Sequence, residues 1–154
     1  MSEFIKAQTC IKAQHLDCLV KALVDVCPQW LGRVEVHDKP VHLFGYHNDQ
    51  RADVANVVIR RHHIGSSSND IGFLAKADGT VEAIISKYDR GSKGFGDEWT
   101  ASLTQHYAYR VAEKQAAKMN ASITKTVNED GTWRVVIIKE EAKAWEKQTV
   151  GRAW

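Results

Sequence analysis

The residues whose types and spacing point to chemistry are a set of histidines, a basic cluster and one tyrosine-bearing segment. His37, His42 and His47 recur at five-residue steps, a spacing that invites a metal reading. On one continuous strand such steps send successive side chains to opposite faces, so the regularity does not converge them. No HExxH and no Cys/His ligand set accompanies them, so the expectation is no metal and no cofactor. Arg60-Arg61-His62-His63 is the densest basic cluster, and strand alternation would part Arg60 and His62 from Arg61 and His63. A nucleic-acid face would gather further cations and stacking aromatics on one side. The plainer expectation is an edge strand whose charges discourage aggregation.

His106, Tyr107 and Tyr109 offer acid–base groups, since histidine titrates near neutral pH. No GxSxG motif, carboxylate pair or activated cysteine stands with them. Tyr107 falls on an apolar stripe and reads as packing, while His106 and Tyr109 sit nearer its edge, where they meet either the sheet or a partner. GSKGFG at 91–96 resembles a phosphate loop only superficially, because Asp97 and Glu98 open the following helix and would repel phosphate. It reads as a flexible linker.

The elements that must position these groups follow from periodicity. The longest helix is expected over 94–120, with Leu103, Tyr107, Ala108, Val111, Ala112, Ala116 and Met119 on one face. Asp97 is its expected N-cap, and Asn120 takes the left-handed conformation that ends it. Residues 3–11 alternate as a strand, and 15–27 carry a helical stripe that Pro28 ends. Cys27 continues that stripe and Cys18 lies off it. Val34–Val36 and Val41–Tyr46 are separated by Asp38-Lys39-Pro40, which predicts a hairpin or bend. A strand is expected over 56–62 and a loop over 65–70. Hairpins are expected around Asp78-Gly79 and Asp130-Gly131. The last strand, TWRVVIIK, is β-branched and expected to be central or well covered. The fold class is α+β: a mostly antiparallel sheet with two main helices on one face. Residues 1–139 are expected to form one domain, and 140–154 a tail with a short helix.

Composition bounds the rest. The 154 residues suffice for one domain with a core of its own. Lys and Arg number 21 against 19 Asp and Glu, a balance of +2 that is too slight to imply a nucleic-acid or anionic-membrane partner. Cys10, Cys18 and Cys27 are an odd number with no CxxC, so a cytoplasm-like reducing compartment is expected. No apolar run approaches the ~20 residues of a membrane span, and the first residues lack a signal-peptide pattern.

Further residues carry a family resemblance. Ser2 and Phe4 open the first strand, Ala52-Asp53 precedes Val58-Ile59-Arg60, and Asp70-Ile71-Gly72-Phe73 begins the next strand. The long helix carries LTQHYAY (103–109), and Asp130-Gly131 leads into a β-branched strand. This pattern, over about residues 2–139, is similar to the domain-of-unknown-function family 1257, the conserved hypothetical chloroplast reading frame 35 group. The resemblance implies a compact domain and carries over no catalytic or binding residue. Its members occur in plastid, cyanobacterial, other bacterial and phage genomes. The implied locations are therefore a bacterial host's cytoplasm, if phage-encoded, or the plastid stroma. Family genes sometimes sit near genes for AAA-type ATPases, which makes such an ATPase the implied candidate partner.

The chain departs from the family's usual pattern at Arg60–His63 and the serine loop, at 91–96, and after Lys139. In the tail, Trp145 and Trp154 carry large apolar rings that gain from burial, either as a lid on the protein's own sheet or in a partner's groove. The expected function is that of a small non-enzymatic protein-binding accessory or regulatory protein. Its candidate contacts are Arg60, Arg61, His62, His63, His106, Tyr109, Trp145 and Trp154. The rival is a nucleic-acid-binding module using 60–63, and the weakest alternative is a metal-dependent enzyme.

Overall fold

The computed structural model describes residues 2–139, so the expectations for the 140–154 tail, Trp145 and Trp154 among them, lie outside the described residues. The chain divides into two compact units, Met1–Tyr107 and Ala108–Trp154. The fold is α+β, with a mostly antiparallel five-stranded sheet and two main helices.

In the first unit, β1 (Phe4–Lys12) leads through a 3-10 turn into α1 (Leu16–Val26). Then follow β2 (Val34–Phe44), β3 (Gln50–Ile59), β4 (Ile71–Ala75), β5 (Thr80–Ser86) and a short helix α2 (Lys87–Ser92). The sheet order is β1-β5-β4-β3-β2, and every neighbouring pair is antiparallel. Directly opposed residues share a face. The pairs Val57↔Phe73↔Ala83 and Ile59↔Ile71 therefore mark one apolar face, and all five residues are buried.

The apolar stripe of α1 (Cys18, Leu19, Ala22, Leu23) is buried as well, as are Leu103 and Tyr107 of α3 (Asp97–Lys118). The Tyr107 hydroxyl accepts from the Lys12 amide at 3.0 Å, and His106 Nδ1 lies 3.8 Å from Asp25 of α1. The first turns of α3 are thus tied to both β1 and α1. On the opposite sheet face Phe4, Leu43, Ala55, Val58 and Ile84 form a smaller buried cluster, with Val41 and Leu74 against it.

Local chemistry explains where the structure departs from the sequence expectation. The Asp38-Lys39-Pro40 segment does not turn. β2 runs through it as an edge strand whose register shifts between Val36 and Val41. Asn56 Nδ2 donates to the carbonyls of His37 and Asp38 at 3.0 and 3.2 Å, which holds the irregularity, and an edge strand tolerates a proline without an amide.

The strand expected over 56–62 instead spans Gln50–Ile59 and lies inside the sheet, and Arg61–His63 form a 3-10 turn. The edge-strand reading of the basic cluster is therefore corrected. GSKGFG is no simple linker either, because its first residues end α2 and Phe95 packs on aromatic rings. Phe95 stacks on buried Trp30 at 5.9 Å and meets Trp99 edge-on at 5.0 Å. Cys18, read as lying off the stripe, is buried, because the deep face of α1 is wider than the leucine stripe alone. Asn120 does adopt positive φ (51°) just past α3, as its type suggests.

The second unit holds the rest of α3 and a separate two-stranded sheet, β6 (Ala121–Val127) and β7 (Trp133–Lys139). The expectation of a central or well-covered β7 is therefore corrected: its side chains alternate between half-buried and exposed. On α3, Ala116 is buried while Ala108 is exposed, and Met119 falls just past the helix and is exposed, so the apolar face is narrower than the periodicity suggests. Among the described residues no helix is long and apolar enough to cross a membrane.

Gly72 marks a close approach between apolar side chains in the first unit. A Cβ there would lie 2.6 Å from Ala55 Cβ and 2.9 Å from Leu43 Cδ2. Gly72→Ala should therefore cost about 1–3 kcal/mol through overpacking, read as a lower urea midpoint with an unchanged slope. Leu103→Ala, which empties a fully buried site, should cost about 2–5 kcal/mol. An unchanged melting temperature in either variant would contradict the packing described.

Candidate functional site

Two clefts open around the loops that follow β2 and β3. Phe44, Asn48, Arg60, Arg61, His62 and Asp70 line the first, of about 260 Å³. Ser2, Tyr46, Ser67, Asn69 and Tyr88 line the second, of about 310 Å³. The wall between them begins with Asn69 and Asp70, both fully buried at the end of the serine loop.

Asp70 is held by three donors. Its Oδ2 accepts from the Phe44 amide at 2.8 Å and from Arg60 Nη1 at 2.9 Å. Its Oδ1 accepts from the Arg61 amide at 2.7 Å. Arg60 also forks onto Glu35, with Nε to Oε2 at 3.0 Å and Nη2 to Oε1 at 3.1 Å, and donates to the His42 carbonyl. His37 Nε2 lies 2.8 Å from Glu35 Oε1 and extends the network.

Burial alone would raise the Glu35 carboxyl, but its hydrogen bonds to Arg60 and His37 outweigh that and hold it below its ordinary value. Burial alone would likewise lower the Arg60 guanidinium, yet Glu35 and Asp70 hold it above its ordinary value.

A second polar node anchors α2. Ser86 Oγ caps that helix by accepting from the Asp89 amide at 3.0 Å and donates to Asp89 Oδ2 at 2.6 Å. Asp89 Oδ2 also accepts from the Asn69 amide and from Asn69 Nδ2, and Asn69 Oδ1 accepts from the Tyr46 amide. In the second cleft the Ser67 and Tyr88 hydroxyls pair at 2.8 Å, and the Tyr88 amide donates to Ser2 Oγ. These carboxylates and hydroxyls hold backbone and one another. The arrangement shapes loops and lines clefts.

The candidates read from sequence fall in separate places. Arg60 is engaged by two carboxylates, and Arg61 donates to the carbonyls of Ser68 and Ser66. His62 and His63 rings lie 4.0 Å apart, and His62 faces the first cleft. Burial, then the charges of His62 and Arg33, push the His63 ring below its ordinary value, which suits the 3.3 Å contact of its Nδ1 with Arg33 Nη1. His106 pairs with Asp25 in the first unit. Tyr109, in the second, packs edge-on against Trp133 at 6.2 Å. His37, His42 and His47 have separate partners: Glu35, the Arg51 carbonyl and the Tyr46 ring.

Sequence reasoning missed Glu35, Asn69, Asp70, Ser86 and Asp89. The available signal was Asn-Asp directly before an apolar strand, a pair that favours binding loop backbone.

Two outcomes follow from this network. Asp70→Asn leaves Arg60 short of a buried counter-charge, so it should cost about 3–5 kcal/mol in chemical denaturation. The Glu35 contribution has a definite pH sign. Its folded value is depressed, so its stabilisation is present above the ordinary value of 4.5 and is lost as pH falls through the lower folded value. Glu35→Gln should flatten the acid limb of stability against pH and leave its neutral limb parallel to wild type. An acid limb of unchanged steepness would show that the pair contributes nothing there.

Comparison with known proteins adds one finding. A search of curated proteins and a search of solved structures return no match. A family model described as a protein of unknown function (DUF1257) matches residues 31–136, a span that contains Glu35, Arg60, Asn69, Asp70 and Asp89. That span is more than half of the sequence, and the chain belongs to the DUF1257 family.

Proposed function

We propose that this protein is a non-catalytic, protein-binding accessory or regulatory protein whose docking element is the β6–β7 ribbon. The observation that supports this reading is a pair of strand edges that no other strand pairs with among the described residues, beside exposed apolar side chains. The ribbon is a two-stranded sheet paired without a register shift from Ala121↔Lys139 to Val127↔Trp133. Long regular edges of this kind accept a further strand, and native proteins usually blunt them. Val136 and Ile138 share one face and are exposed, as is Val127 on the other.

Lys125, Arg134 and Lys139 lie within the two strands, which contain no carboxylate. The fitting occupant is an extended segment of a protein partner that combines acidic and apolar residues. An AAA-type ATPase is the partner class that the family resemblance suggests. The nucleic-acid reading is the weaker one, because at the first cleft Arg60 is engaged by two carboxylates and Arg61 by two loop carbonyls. Three free cysteines suit a reducing, cytoplasm-like compartment.

The test is capture of partners from the native host by the full chain, compared with the Val136→Glu/Ile138→Glu variant. The double variant should weaken capture of a stoichiometric protein at least about tenfold, roughly 1.4 kcal/mol, without lowering the melting temperature. Capture that survives the double variant, or nuclease-sensitive capture of nucleic acid, would overturn the proposal.

A further inference from the structure

The start of α1 gathers three side chains of metal-ligating type that the clefts do not use. A nitrogen of His15, a carboxylate oxygen of Asp17 and the sulfur of Cys18 all lie within 4.8 Å of one another. His15 occupies the N-cap position of α1, yet its side chain makes no capping bond. Its Nδ1 is fully buried and has no hydrogen-bond partner among the described residues. A buried ring nitrogen without a donor costs free energy, and a metal ion is one species that fills such a lone pair. The other ring nitrogen, Nε2, lies 3.3 Å from the Gln14 side-chain amide. Turning that amide over presents its oxygen to an Nε2–H, which fixes the tautomer with a free lone pair on Nδ1.

We propose that His15 Nδ1, Asp17 and Cys18 bind one borderline-soft divalent cation of the zinc class, with water completing the site. Imidazole with thiolate selects this class over magnesium or calcium, which take oxygen ligands. Bond lengths of about 2.0–2.3 Å place tetrahedral ligands roughly 3.3–3.8 Å apart, so side-chain rotation of about 1 Å closes the observed cluster. Three ligands within four residues need little loop closure. Cys18 is 1% exposed and Asp17 is exposed, so the site is walled on its sulfur side and open to ion and water on its carboxylate side. The amides of the first helical turn favour both anions. On binding, the Cys18 thiol releases its proton to solvent, and thiolate and carboxylate together balance the divalent charge. The site is independent of the docking ribbon.

The experiment is a cobalt(II) titration of the full chain, followed by zinc(II) displacement. One equivalent should produce a near-ultraviolet thiolate-to-cobalt band with the visible bands of a four-coordinate ion, and zinc should remove them. Cys10→Ser should keep the signal, Cys18→Ser should lose it, and Gln14→Ala should weaken binding about 10–100-fold. Cys18 is buried and its variant could unfold, so His15→Ala and Asp17→Ala, checked for folding by circular dichroism without metal, decide the matter. Both should lose the band at the same cobalt concentration. No thiolate band in the wild type, or undiminished affinity in folded His15→Ala, overturns the proposal.

Discussion

A fully buried carboxylate, Asp70, sets the terms for the first unit. A charge removed from water costs several kcal/mol unless donors surround it. Asp70 is compensated by the Phe44 and Arg61 amides and the Arg60 guanidinium. The donors come from two places in the chain: Phe44 at the end of β2, and Arg60-Arg61 where β3 gives way to the 3-10 turn. The Asp70 amide returns a bond to the Phe44 carbonyl at 3.0 Å, so the loop before β4 is pinned to β2 from both sides. β3 stands between β2 and β4 in the sheet, and this link crosses its end.

That requirement also decides what Arg60 can do. Its guanidinium faces Glu35 and Asp70, lies 5.7 Å from the Phe44 ring centroid, and donates to the His42 carbonyl. A phosphate would compete with two carboxylates for it, and the Glu35 pair is the charge-assisted, forked kind that costs most to break. The second node repeats the logic with less complete compensation. Asp89 Oδ2 accepts from Ser86 and Asn69, while Asp89 Oδ1 and Ser68 Oγ are buried without a partner among the described residues. Atoms of this kind usually bind a buried water, a companion that the Asp70 oxygens do not need.

Legibility in the sequence followed the range of the interactions concerned. The β4–β5 hairpin was readable because its determinants are adjacent: Gly79 supplies a φ of +87°, and Asp78 accepts from the Thr80 amide and hydroxyl. The end of α3 at Asn120 was readable for the same reason. The course of β2 was not, because Asn56 holds the bulge from 18 and 19 residues away. Arg60 looked available because its partners lie 25 and 10 residues distant. β-branched residues identified β7 as a strand but could not say which sheet it joins. In GSKGFG, glycine content suggested freedom, and the deciding contact, Phe95 on Trp30, is long-range.

The second unit follows a different physical rule. A two-stranded ribbon is marginal alone and needs one face covered. Its half-buried face carries Ile123, Val135, Ile137 and Trp133, and Tyr109 of α3 meets the Trp133 ring edge-on. Lys125 adds its ammonium 3.9 Å above Trp133 and 5.4 Å above Tyr109, a contact worth about 0.5–1 kcal/mol at an exposed site. With these residues engaged in holding the ribbon, Tyr109 and Trp133 are structural anchors first. The opposite face, Ser122, Thr124, Thr126, Arg134, Val136 and Ile138, has no such internal duty among the described contacts. Threonine, valine and isoleucine there favour extended backbone whether or not anything covers them. The ribbon can therefore keep its form on the strength of one face while the other meets solvent or a partner.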